Sequence, residues 1–119
     1  MAYSAIRPDY NRKRIALESR KEKLQSKVED LQTDADILDH QIMQYNERLD
    51  RLNNKLHLVS YLPLRQRLSA EYELELQQKN TLYEQVLNIK SQIATIIYDV
   101  DEIDLEVSRL SELVGVADN

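Results

Sequence analysis

His40 and His57 are the side chains best suited by type to proton transfer or metal ligation. They lie seventeen residues apart on one predicted helix, at outward-facing positions, so they cannot share an ion. Asp34-x-Asp36-x-x-Asp39 only faintly resembles a calcium loop, since the glycine and terminal glutamate such a loop needs are missing and the heptad runs straight through it. With no cysteine there is no thiolate nucleophile, thiolate metal site or disulfide framework. The single glycine, Gly115, excludes a glycine-rich phosphate loop and a nucleophile elbow. The many acids have no pocket to perturb them, because a pair of helices encloses no cavity. These residues give no catalytic, cofactor-binding or metal assignment, and the expectation is a protein that is not an enzyme.

Arg12-Lys13-Arg14 could contact phosphate, yet the chain of 119 residues carries a net charge of -5. A surface that tracks nucleic acid needs a basic excess, so no nucleic-acid partner is expected. Residues 1–27 hold eight Lys/Arg against three acids, and residues 99–119 hold seven acids against one Arg. Each bias opposes its own helix dipole. Side by side, the two ends would neutralise each other, which makes the basic cluster an internal complement.

The elements that carry these residues must be long helices. Charged residues make up 31% of the chain, and one Gly and two Pro leave little material for turns. Phe and Trp are absent and seven Tyr are the whole aromatic complement, too little for a large globular core or a cofactor pocket. No apolar run approaches the roughly 20 residues of a membrane span, and the first thirty residues contain no apolar signal core. A soluble, intracellular (cytoplasmic) protein without membrane insertion is expected.

From Tyr10 the apolar residues recur with alternating spacings of four and three: Leu17, Leu24, Val28, Leu31, Ala35, Leu38, Ile42, Tyr45, Leu49, Leu52, Leu56 and Val59. Arg14 and Lys21 are the two polar interruptions of what is otherwise a heptad seam. A second seam runs from Leu68 through Tyr72, Glu75, Lys79, Leu82, Val86, Ile89, Ile93, Ile96, Val100, Ile103, Val107 and Leu110 to Val114. Its β-branched stretch from Ile96 to Val107 has strand propensity, but the unbroken spacing decides for helix.

Val59 and Leu68 occupy equivalent seam positions nine residues apart, where an unbroken repeat requires seven or fourteen. At about 100° per residue the second seam would face the opposite side of a continuous helix. Pro63 supplies a break, because its ring clashes with the carbonyl of Val59 and disfavours helical backbone at Leu62. The expected fold is all-α, two long helices of about 75 Å each forming an antiparallel coiled-coil hairpin that can dimerise into a four-helix bundle. Its parts are an arm at 1–8, a hairpin at 9–115 and a tail at 116–119, with helices at about 9–60 and 63–114 and a turn at about 61–63.

Folding at Leu62 makes facing residue numbers add to 124, so that Leu38 meets Val86, Ala35 meets Ile89 and Val28 meets Ile96. Two layers are imperfect, Leu49 opposite Glu75 and Tyr45 opposite Lys79, where the long side chains can reach water. This register sets Arg20 beside Glu106, Lys27 beside Asp99 and Lys55 beside Glu71, with Glu18 and Asp104 as one repulsive contact. A parallel homodimer would instead stack Arg14, Lys21 and Lys79 on their own copies.

The second helix has more apolar surface than one partner can bury, at Leu76, Tyr83, Leu87, Ile97 and Tyr98. The turn offers Tyr61, Leu62 and Leu64 where a solvated loop would favour small polar residues. These eight residues are the expected partner-binding positions, with a protein partner or a second copy as the occupant. In periodicity alone the chain resembles α-hairpin proteins such as type III export stalk proteins and prefoldin-like chaperones. Its connection is too short for the β-hairpins of prefoldin subunits. The expected role is a structural or adaptor subunit that spaces or joins partners in an intracellular complex. The alternative is a small helical chaperone or export adaptor shielding a client's amphipathic helix.

Overall fold

The computed structural model describes the backbone of residues 2–118 and the side chains of residues 9–114. The arm expected at 1–8 and the tail expected at 116–119 lie outside the fully described residues. Two helices make up the chain, α1 (Ala2–Leu58) and α2 (Leu62–Asp118), paired as an antiparallel helical hairpin. They contribute to two compact units: an end unit, Met1–Leu31 with Gln92–Asn119, and a turn unit, Gln32–Ser91.

The helices follow from the residues that are absent as much as from those present. No Gly or Pro interrupts residues 9–58 or 64–114, and the recurring Leu, Glu, Gln, Lys and Arg lose little rotamer freedom in a helix. At the end of α1, His57 Nδ1 donates to the carbonyl of Asn53 at 2.7 Å, so this ring nitrogen carries the proton. Lys55 and His57 both lie in the last turn, where basic groups complement the carbonyl end of the helix.

The connection is Val59-Ser60-Tyr61, slightly earlier than a turn centred on Leu62. Arg65 N donates to Tyr61 O at 3.0 Å, which makes Tyr61 the N-cap of α2 and Leu62 its first helical residue. The restriction a proline places on its predecessor is a bias, and the first hydrogen bond of α2 overrides it at Leu62. The steric conflict with the carbonyl four residues earlier falls at Val59, where the chain has already left α1. Pro63 sits within the first turn of α2, where its missing N–H would have had no intrahelical partner.

Packing follows the two seams. Every seam position from Tyr10 to Val59 and from Leu68 to Val114 is buried or half-buried. Among the described residues outside the seams, Leu76 and Asp99 alone escape the exposed class. In the turn unit the most buried residues are Ala35, Leu49, Leu68 and Val86; in the end unit they are Ile96 and Ile103. Val86 is 1% exposed, and most other seam residues stay partly open because one helix shields only one side of its partner.

Polar contacts report the register. Tyr10–Ser111 and Lys21–Asp104 in the end unit, and Tyr45–Gln78 and Arg48–Glu75 in the turn unit, have residue numbers adding to 121, 125, 123 and 123. These values bracket the 124 that seam matching requires.

Seam burial and surface apolarity make separable demands. Ile103→Ala, at 4% exposure, is expected to cost about 2–3 kcal/mol in urea unfolding, the lower part of the range for core truncations because a helix pair relaxes easily. Leu105→Ala, two residues on but 51% exposed, should change stability by less than about 0.5 kcal/mol. Equal costs at the two sites would show that the seam does not carry the fold.

Candidate interaction surfaces

In the turn unit one polar cluster takes up Tyr45 and Glu75, one residue from each imperfect layer. Tyr45 and Arg48 are three apart on α1, and Glu75 and Gln78 are three apart on α2, so each pair shares a helix flank. Tyr45 Oη donates to Gln78 Oε1 at 3.1 Å. The Arg48 guanidinium lies over the Tyr45 ring, 4.9 Å from its centre, and Nη1 is 3.6 Å from Glu75 Oε2. That separation is an ion pair without a hydrogen bond, and Glu75 Oε2 is buried with no hydrogen-bond partner. Glu75 therefore turns toward Arg48 rather than fully into water, leaving Leu49 at 6% exposure. An open groove beside the cluster is lined by Arg48, Arg51, Lys55, Glu71 and Leu74. Its mixture of signs suits an ion-paired protein contact better than an anion site.

The end unit deals with its polar seam residues in the same manner. Lys21 Nζ donates to Asp104 Oδ1 at 2.6 Å. Arg14 stacks on Tyr10, 5.8 Å from the ring centre, while Tyr10 Oη and Ser111 Oγ are hydrogen-bonded at 3.0 Å. Arg14 Nε is buried without a hydrogen-bond partner. The contacts anticipated between flanking residues differ from these. Among the described residues, Arg20–Glu106, Lys27–Asp99 and Lys55–Glu71 do not come within ion-pair distance, and Asp104 is held by Lys21 instead of opposing Glu18. A lysine rooted in the seam has few directions in which to reach water, whereas long flanking side chains gain little from giving up their freedom.

The eight expected partner-binding residues fall into separate groups. At the turn, Tyr61 and Leu62 are 68% and 63% exposed, and Leu64 is exposed to a lesser degree. Tyr61 and Leu64 line an open groove with Pro63 and Arg67. Farther along α2 in the turn unit, Leu76 is half-buried while Tyr83 and Leu87 are about half exposed. In the end unit Ile97 lines a shallow groove with Gln25, Val28, Glu29 and Val100. Tyr98 faces farther outward and is not part of that groove's lining. The Tyr45–Arg48–Glu75–Gln78 cluster was absent from the expected positions; its three-residue spacings were the signal that could have pointed to it.

His40 Nε2 accepts from Gln44 Nε2 at 3.5 Å, a local contact within one helix. Among the described residues, no three His, Cys, Asp or Glu side chains group together in a way that could hold a metal ion. No helix is long and apolar enough to cross a membrane, again among the described residues. Compared with protein-family models, curated proteins and solved structures, the chain matches none.

Glu75, like Arg14, has a buried polar atom without a hydrogen-bond partner. Glu75→Leu should raise stability by about 1 kcal/mol, since it removes an unsatisfied buried oxygen, fills a seam position opposite Leu49 and leaves the half-exposed Arg48 to water. The check is the urea midpoint, with an unchanged slope showing that the same surface is still buried. A fall in stability would mean that the Arg48–Glu75 pair holds the hairpin together.

Proposed function

We propose that the chain is a non-enzymatic structural or adaptor subunit, a coiled-coil hairpin that joins partners in an intracellular protein complex. The observation that carries this reading is the placement of large apolar side chains outside the seam. A pair of helices buries one stripe on each, and Tyr61, Leu62, Tyr83 and Leu87 remain exposed with no segment of the described chain covering them. Apolar groups gathered at a turn and along one helix flank suit protein recognition, whereas a small-molecule site needs a concave, enclosing wall.

The turn suits a docking role because its backbone is already organised. Tyr61 caps α2 through its carbonyl, which frees the phenol to face outward, and Pro63 restricts the first turn of α2. Little ordering remains to oppose binding at this end.

The reading is tested by affinity capture with the wild-type chain and with Tyr61→Ser combined with Leu62→Ser. Both positions are exposed and serine is a good N-cap, so helix content by circular dichroism should be unchanged. Partners retained by the wild type should be lost, or fall at least tenfold in recovery, with the variant. Identical partners and recoveries would count against the turn as a docking site.

A further inference from the structure

Along α2 in the turn unit, a second line of residues runs beside the buried seam: Glu73, Leu76, Asn80, Tyr83, Leu87 and Lys90. Their spacings are three, four, three, four and three, the same alternation that makes a coiled-coil seam. Leu76 is half-buried at the edge of the hairpin core and the other five are exposed. Read backwards, the line is its own complement. Pairing 73 with 90, 76 with 87 and 80 with 83 keeps a constant sum of 163 and sets acid against base, leucine against leucine and amide against phenol.

From this self-complementarity we infer that the occupant of this face is a second copy of the chain. Its α2 lies antiparallel on the first, with a twofold axis between Thr81 and Leu82, so that two hairpins form a four-helix bundle. The inference rests on the reading of the hairpin as a joining module and names the partner for one of its surfaces. Each Glu73 meets Lys90 of the other copy, giving two equivalent ion pairs that bound the interface. Leu76 packs on Leu87 of the other copy. The Tyr83 hydroxyl reaches the Asn80 amide, so the polar atoms at the middle of the interface find partners.

Charge decides the orientation. In a parallel pairing Glu73 would face Glu73 and Lys90 would face Lys90, turning both attractions into repulsions. In the antiparallel register the nearest flanking residues are Gln77 and Glu84 of opposite copies, which do not repel. The interface lies wholly within the turn unit and uses a different flank of α2 from the one that meets α1.

The test is sedimentation equilibrium of the purified full chain at micromolar concentrations, with helix content verified for each variant. The wild type should be dimeric. Glu73→Lys and Lys90→Glu should each weaken dimerisation by about tenfold or more, since each converts two attractions into two repulsions. An equimolar mixture of the two single variants should regain the wild-type affinity as a heterodimer, because each copy then offers the charge the other lacks. The double variant Glu73→Lys with Lys90→Glu should regain it as a homodimer. A monomeric wild type, a dimer indifferent to both reversals, or failure of both the mixture and the double variant to recover would overturn the inference. Affinity capture by the turn reports on the adaptor reading separately, since Tyr61 and Leu62 take no part in this interface.

Discussion

Two helices share a single line of contact, and every other feature of this protein accommodates that constraint. The line can cover one stripe on each helix, so positions four and three apart acquire a burial that their neighbours do not have. Within the described residues the seam side chains are buried or half-buried, while nearly everything off the seam is exposed. The turn exists because the two stripes are out of phase by the nine-residue step from Val59 to Leu68, so that each can be covered only if the chain reverses.

Polar residues on the seam show how firmly the constraint is enforced. Arg14, Lys21, Tyr45 and Glu75 stand where a simple coiled coil would have aliphatic groups. Lys21 is resolved by Asp104 at 2.6 Å, Tyr45 by Gln78 at 3.1 Å, and Glu75 by Arg48 at 3.6 Å. Such residues lower the stability of a packed seam, and a shifted register would separate Lys21 from Asp104 and Tyr45 from Gln78. Each unit contains such contacts, so each carries its own check on register.

The same narrowness leaves apolar groups outside the fold. In a globular domain a third layer would cover Tyr83 and Leu87; here each remains about half exposed. The surplus falls along a flank of α2 and at the turn. It is the physical basis of the proposals that the hairpin joins other chains and that α2 has a second working face.

The helices and their seams were legible because a 3.5-residue period over so many heptads specifies an apolar stripe on a helix, and the exposed apolar residues were legible as the positions that period leaves over. The hairpin was legible from the phase step at Pro63 and the charges a parallel pair would stack. The turn was harder to place. Pro63 marks the neighbourhood of a break, but only the Arg65–Tyr61 hydrogen bond shows that Leu62 is already helical. The polar contacts were harder still, because sequence position limits which flank a long side chain occupies and not which partner it reaches. Lys21 reaching Asp104, where seam matching set Glu18, and Arg48 bridging the Tyr45 ring and the Glu75 carboxylate, depend on how closely the helices approach and which rotamers fit between them. The sequence by itself determined the elements and their pairing, since periodicity is a property of the chain. The tertiary structure alone decided which charges meet and which oxygen is left buried without a donor, since those depend on distances of a few ångströms that periodicity does not encode.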